Sequence, residues 1–483
     1  MFRHRANGVK YEQKGVVARP PIPQPAPRTV MMVYSHYFLR FDLFQQIVLW
    51  LSTSMYVPRK GRRFLEVNQN LLEYEIDKEL KRLIIAHAED KIEMKQQMHN
   101  HLMLWQDIQR RGGTSQAVRE AYIDVYGGFA LDLPSWLEAI EKRRMFLSQL
   151  RRPERTIKAH ILLLRDSLSH ATSHDANLAP EIIAELQNHL GHLLLQNTFL
   201  YTQEARTRTI EEAIACHEAA IKIFTAHCYP IQHAKSCFYL GNAYQHFHKI
   251  YQNSIESAIA CYETALLVHT RDNFPEQWAM LQTHLGLAYA QRKIGEPRDN
   301  LEHAMTYHKM SLQVATGTTF PTVQAMALAN LGNAYRQRIA GTRVNNLKQA
   351  LLNYKAALQI YTRQTFPREW ADIHMKQALI FQDLITEINE KQDIYLQCAI
   401  VCAESALQIF TLDSFPVEYA QAQTILGHSH RMRSGGDQQA TLEQACKCYH
   451  NALRVFTCYD FPKEHYQLLD YLRESEEQRQ GLL

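Results

Sequence analysis

Phe274-Pro-Glu-Gln-Trp-Ala279 leads into His284-Leu-Gly-Leu-Ala-Tyr289, and the second phrase returns as Asn330-Leu-Gly-Asn-Ala-Tyr335, the first as Phe366-Pro-Arg-Glu-Trp-Ala371. Outward from these phrases the chain proves periodic, because proline recurs at 180, 230, 275, 321, 367, 416 and 462. Ten residues after a proline stands the leucine of a Leu-Gly pair: Leu190, Leu240, Leu285, Leu331 and Leu426. Gln377-Ala378 and Leu472-Arg473 are degenerate forms of that pair. A second block starts at Ala213, Ala258, Ala304, Ala350, Ala399 and Ala445, each opening an Ala-x-x-x-[Tyr/His]-x-x-[Ala/Ser] pattern whose middle position fails only at Ala403. Twelve residues further on sits Thr225, Thr270, Thr316, Thr362, Thr411 or Thr457, and the next proline follows after five more. The spacing from the Leu of Leu-Gly to the alanine is the only part that varies, which places all length variation in one loop per unit.

Each unit of ~46 residues therefore predicts two antiparallel helices, A and B. Proline belongs in the first turn of helix A, where its missing N–H costs nothing. The Phe or Tyr before it suits a hydrophobic staple. Thr209, Ser254, Asn300, Asn346 and Thr441 are the expected capping residues of helix B. The glycine and the helix B alanines allow the two helices to approach closely.

Leu-Gly-x-x-Tyr, then Ala-x-x-x-Tyr-x-x-Ala, then Pro, resembles the tetratricopeptide repeat (TPR), at ~46 residues instead of the usual 34. The long form resembles the arrays of bacterial proteins that often end in a caspase-like CHAT protease domain, and no such domain is expected here. The resemblance covers residues ~155–475. It implies an all-α fold, a right-handed α-α superhelix, with a half repeat, six full repeats and a C-terminal capping helix over 154–483. Apolar spacing before it predicts an all-helical region over 29–153. Helices are expected within 64–112 (ending at Arg110-Arg111-Gly112-Gly113), at 116–130 and at 134–151. Residues 1–28 read as a disordered, basic, Pro-rich leader.

Composition narrows the partners. The net charge is +4 over 483 residues. The leader has six Lys or Arg against Glu12 alone, so the remainder is slightly acidic. A phosphate-neutralising groove needs clustered Lys and Arg, so no nucleic acid is expected. Arg40, Asp42, Gln45 and Gln46 interrupt the apolar stretch 30–57, so no membrane span is expected either. The nine cysteines include no C-x-x-C pair, which points to reduced thiols in the cytoplasm.

No catalytic, cofactor or metal residues are expected. The chain has no G-x-S-x-G, Walker A or G-x-G-x-x-G. Among 24 histidines only His170/His174 has i, i+4 spacing, and His-Glu-x-x-His is missing. The resemblance implies instead a concave groove lined by helix A, in which Asn242 and Asn333 resemble the asparagine that holds a peptide backbone or terminal carboxylate. Arg292, Arg338 and Arg433 share one repeat position, with Arg336 and Arg431 two residues earlier. They read either as helix C-terminal dipole partners or as a basic ladder for an acidic peptide. The expected function is a non-catalytic scaffold binding a protein or peptide. The alternatives are a regulatory subunit of a separately encoded caspase-like protease or signalling ATPase, suggested only by the resemblance, and, more remotely, a hydrolase or metal protein.

Overall fold

In the computed structural model the structure describes residues 41–73, 76, 80–81, 92–148, 153–173, 178–196, 203–247, 253–388, 392–433 and 437–481. The expected leader, residues 149–151 and His174 lie outside them. Among the described residues every regular element is helical. The chain divides into two compact units, Met1–Tyr74 and Glu75–Leu483.

The first unit holds α1 (Phe41–Tyr56), α2 (Pro58–Val67) and a 3-10 turn at Gln69–Glu73. Gly61 lets α2 close directly onto Ser54 of α1. Trp50, Leu65 and Leu71 are buried.

The second unit begins with α3 (Ile92–Arg110), α4 (Ser115–Tyr126), a 3-10 turn at Gly128–Ala130, α5 (Ser135–Ser148) and α6 (Pro153–Ser173). The double glycine 112–113, both with positive φ, ends α3 as the sequence indicates. Thr114 caps α4 by accepting from the Ala117 N–H at 3.1 Å. Six hairpins follow: α7 (Pro180–Gln196) with α8 (Gln203–Ile223), α9 (Pro230–Phe247) with α10 (Ser254–Leu266), and α11 (Pro275–Gln291) with α12 (Pro297–Leu312). The rest are α13 (Pro321–Gln337) with α14 (Arg343–Ala357), α15 (Pro367–Glu387) with α16 (Gln392–Leu407), and α17 (Pro416–Arg431) with α18 (Gln438–Leu453). The last helix is α19 (Pro462–Gln480). From α5 onward each helix packs on the next in chain order, the contact pattern of a helical-repeat solenoid.

Odd-numbered helices from α7 to α17 are the A helices, and each starts at its repeat proline. The turns leading into α9, α11, α13, α15, α17 and the closing α19 share one hydrogen-bond pattern. The repeat threonine's Oγ1 accepts the N–H three residues on, as Thr225 from Cys228, Thr270 from Asn273 and Thr411 from Ser414, at 3.3–3.4 Å. Its carbonyl accepts from the aromatic residue before the proline, as in Phe274 to Thr270 and Phe366 to Thr362, both 2.9 Å. Except before α13, where Ala315 replaces it, that ring packs on the ring at the end of helix B, Phe366 on Tyr361 at 5.1 Å and Phe415 on Phe410 at 5.5 Å. One threonine thus satisfies two backbone groups of a tight turn, which accounts for its fixed distance from the proline.

The close-packing glycines act as expected. A Cβ on Gly241 would stand 2.6 Å from the Tyr262 ring, and one on Gly286 2.5 Å from the His308 ring. The six alanines that open the helix B pattern are fully buried.

The helix B caps are different from expectation. Thr209 lies inside α8 and bonds the Ala205 carbonyl. Asn300 and Asn346 also lie inside their helices. Their amides reach back to the A–B loop, Asn300 to the carbonyls of Arg292 and Ile294, Asn346 to those of Arg338 and Ala340. The physical reason is the tight turn after helix A, which brings two carbonyls left over at the helix end within reach of one amide. Gly295 and Gly341, at φ 86° and 81°, turn that loop.

Candidate functional site

Consecutive A helices touch directly, α7 with α9, α9 with α11, α11 with α13 and α15 with α17, and consecutive B helices pack less closely. The A helices therefore form the inner wall of the stack. Side chains stitch that wall along its length: Asn188 to Ser236 at 2.7 Å, Lys235 to Glu185 at 3.0 Å, Gln245 to Gln291 at 3.1 Å, and Gln382 to Ser429 at 2.8 Å.

Asn242 and Asn333 stand on α9 and α13, one residue past their Leu-Gly glycine, and both are half-buried. Each amide is held by the helix B tyrosine of its own hairpin. The Tyr262 hydroxyl lies 2.8 Å from Asn242 Oδ1 and 3.0 Å from Gln245 Oε1, which share its one proton, and Tyr354 donates to Asn333 Oδ1 at 2.6 Å. With the phenol donating into Oδ1, each Nδ2 is left as a donor. Burial holds both phenols well above the ordinary tyrosine pKa. The hairpins between and beyond lack this pair. Leu287 takes the asparagine position opposite His308, and His428 takes it opposite Tyr449.

The arginines do not form one ladder. Arg292 makes a two-pronged pair with Glu256 (2.8 and 2.9 Å) and lies 5.4 Å over Tyr289. Arg338 repeats this with Glu302 (2.7 and 3.1 Å) and Tyr335. Both pairs join helix A to the preceding helix B. Arg336 and Arg431 instead bridge neighbouring A helices, Arg336 to Asp383 at 3.1 Å and Arg431 to Glu474. Arg433 is exposed. Four of the five charges are thus matched within the protein. Asp383 and Glu474, on later repeats, could not be assigned from sequence spacing.

Two cavities open on the inner wall. One, of about 490 Å³, lies among α15, α17 and α19, with Met375, Leu379, Ile425, His428 and Tyr471 in its lining. The other, of about 520 Å³, lies where α3 and α4 meet α9 and α11, with Met103, Tyr126, Gln232, Phe238, Tyr239 and Gln277 in its lining. The second depends on how α4 docks. The buried Asp124 carboxylate accepts the Ile231 and Gln232 N–H groups at 2.8 and 3.2 Å, the first free donors after Pro230. Its carbonyl accepts the Gln232 amide at 2.9 Å. Burial pushes the Asp124 pKa up to about 7 against these hydrogen bonds and Arg111. Beside this cavity burial works on Glu185 in the same direction, but Lys235 and His189 outweigh it and bring the carboxyl to about 2.

Histidines run along the stack, yet among the described residues no three metal-ligating side chains converge. His217 bonds Asn188 Oδ1 at 3.0 Å. Among the described residues neither ring nitrogen of His308 has a partner. No described helix is long and apolar enough to cross a membrane.

No family model matches the chain, and no curated protein matches it. Among solved structures it is similar to a circular tandem repeat protein with novel repeat topology and enhanced subunit contact surfaces. The likeness is 12% identity over 91% of this chain and 99% of that one, with a TM-score of 0.18. A score that low carries no argument about shape or binding. By its own architecture the protein is an all-helical repeat solenoid.

Proposed function

We propose that the protein is a non-catalytic scaffold of TPR-like hairpins that binds a segment of a protein partner along the inner wall of its A helices. The observation that carries this reading is the pinning of Asn242 and Asn333 by Tyr262 and Tyr354. Two amides two repeats apart, each with its oxygen occupied and its N–H₂ left to donate, suit the carbonyls of an extended main chain. The flanking cavities are of the size that takes large side chains. The arginines support a partner of mixed or neutral charge over a strongly acidic one, since Arg336 and Arg431 already face Asp383 and Glu474.

The test is the doubly substituted chain Asn242→Ala/Asn333→Ala, assayed for capture of the partner retained by the wild-type protein. Loss of capture with unchanged thermal unfolding supports the reading. Wild-type capture by the double variant removes the asparagines from the site.

A further inference from the structure

The cavity of about 520 Å³ beneath α3 and α4 has a feature that a packing void does not. Gln232 lines it and is only 2% exposed. The amide orientation of Gln232 is settled, because its Nε2 donates to the Asp124 carbonyl, which can only accept. Its Oε1 is thereby committed as an acceptor, and among the described residues it receives no hydrogen bond. Gln277, on the next A helix, lines the same cavity, and its Oε1 is likewise buried without a donor. Buried acceptors left without donors are costly, so two lining one space call for an occupant that donates.

The rest of the lining defines that occupant further. Phe238, Tyr239, Tyr126 and Met103 give flat, polarisable walls suited to a ring. The one cation in the lining, Lys235, already pairs with buried Glu185, which also meets His189 at 3.2 Å. No excess charge remains to attract an ion. The geometry points to an anchor pocket for one side chain of the partner segment: an uncharged aromatic ring bearing an N–H or O–H, that of tryptophan or tyrosine. This rests on the scaffold reading and adds where the partner is gripped and by which residue type. Phenylalanine fills the same walls but brings no donor to either glutamine oxygen, and a site built around a hydrogen bond rejects the analogue that lacks it.

The full chain can be titrated with N-acetyl-tryptophanamide, N-acetyl-tyrosinamide and N-acetyl-phenylalaninamide, with binding read from NMR shifts of methionine methyls, Met103 and Met280 among them. The Trp or Tyr amide is expected to bind at least about tenfold more tightly than the Phe amide. Gln277→Leu, close in volume, should erase most of that preference while keeping the native melting temperature. Met280→Trp, which fills the cavity, should abolish binding of all three. Equal binding of the three amides, no shift with any of them at millimolar concentration, or an unchanged preference in Gln277→Leu would overturn the assignment. These probes need no partner, so a failure here leaves the asparagine test standing, and a failed asparagine test leaves this pocket to be judged on its own titration.

Discussion

Gly332 lies directly beneath the ring of Tyr354, so close that a Cβ on the glycine would stand 2.6 Å from Tyr354 Cε1. The same opposition joins Gly191 to His217, Gly241 to Tyr262, Gly286 to His308 and Gly427 to Tyr449. In the remaining hairpin both positions change together: Ala378 stands in place of glycine, Ala403 in place of the ring, and both are fully buried in one apolar cluster. The two irregularities in the repeat pattern are therefore one steric rule, in which a ring on helix B requires glycine on helix A.

That rule predicts a reversal of sign. Gly332→Ala in the wild-type chain should cost ~1–3 kcal/mol from overpacking. In a Tyr354→Ala background, itself destabilised by ~3–5 kcal/mol, the same change should be neutral or stabilising by up to ~1 kcal/mol, because alanine is the better helix former. A denaturant double-mutant cycle measures this, and equal costs in both backgrounds would disprove the steric rule.

Packing and surface charge should separate cleanly within one helix. Leu331, 5% exposed, should cost ~2–5 kcal/mol on truncation to alanine. Arg338→Ala removes a two-pronged but solvent-facing pair with Glu302 and should cost less than ~1 kcal/mol. Chemical denaturation of the two variants checks both figures.

Acid should weaken the stack. Burial lowers the pKa of His217 and His308 to about 3, and that of His269 and His284 to about 4. These rings stay neutral in the fold but take up protons in the unfolded chain below pH ~6.5. Their contribution is therefore complete above that pH and falls as pH drops from ~6.5 toward 4, by up to ~1.4 kcal/mol per pH unit for each group. His308→Phe should flatten the slope measurably in unfolding experiments between pH 7 and 5. An unchanged slope would mean that His308 gains a proton in the folded state.

Asp124 works in the opposite direction. With its folded pKa raised to about 7, it is best tolerated when protonated, and its contribution declines as pH rises from ~4 to 7. Asp124→Asn keeps an oxygen for the Ile231 and Gln232 N–H groups, so its stability relative to wild type should improve between pH 5 and pH 8. Asp124→Ala leaves those donors unmet and should be less stable than Asp124→Asn by ~1–3 kcal/mol at every pH. Thermal melts of the three chains across that range decide the matter.

The repeat was legible because its signals are local. Prolines, Leu-Gly pairs and alanines sit at fixed distances, and they located the start of every A helix. The caps were misread because Asn300 and Asn346 answer to carbonyls of the preceding loop, whose path no helix-start pattern describes. For the candidate site, the sequence singled out Asn242 and Asn333 but not their phenol partners. Twenty and twenty-one residues separate the members of these pairs, across a loop of variable length. Asp124 was beyond reach for the same reason, since it meets α9 more than a hundred residues later in the chain.

The most direct measurement places a photo-crosslinking amino acid at Leu287 or Leu379 on the inner wall, and at Leu352, 58% exposed on α14, in the source cell. The account predicts that both inner-wall positions crosslink to the same protein, that the Asn242→Ala/Asn333→Ala change abolishes the crosslink, and that Leu352 yields none. Crosslinking from Leu352 with silence at Leu287 and Leu379 would place recognition on the outer face and contradict the account.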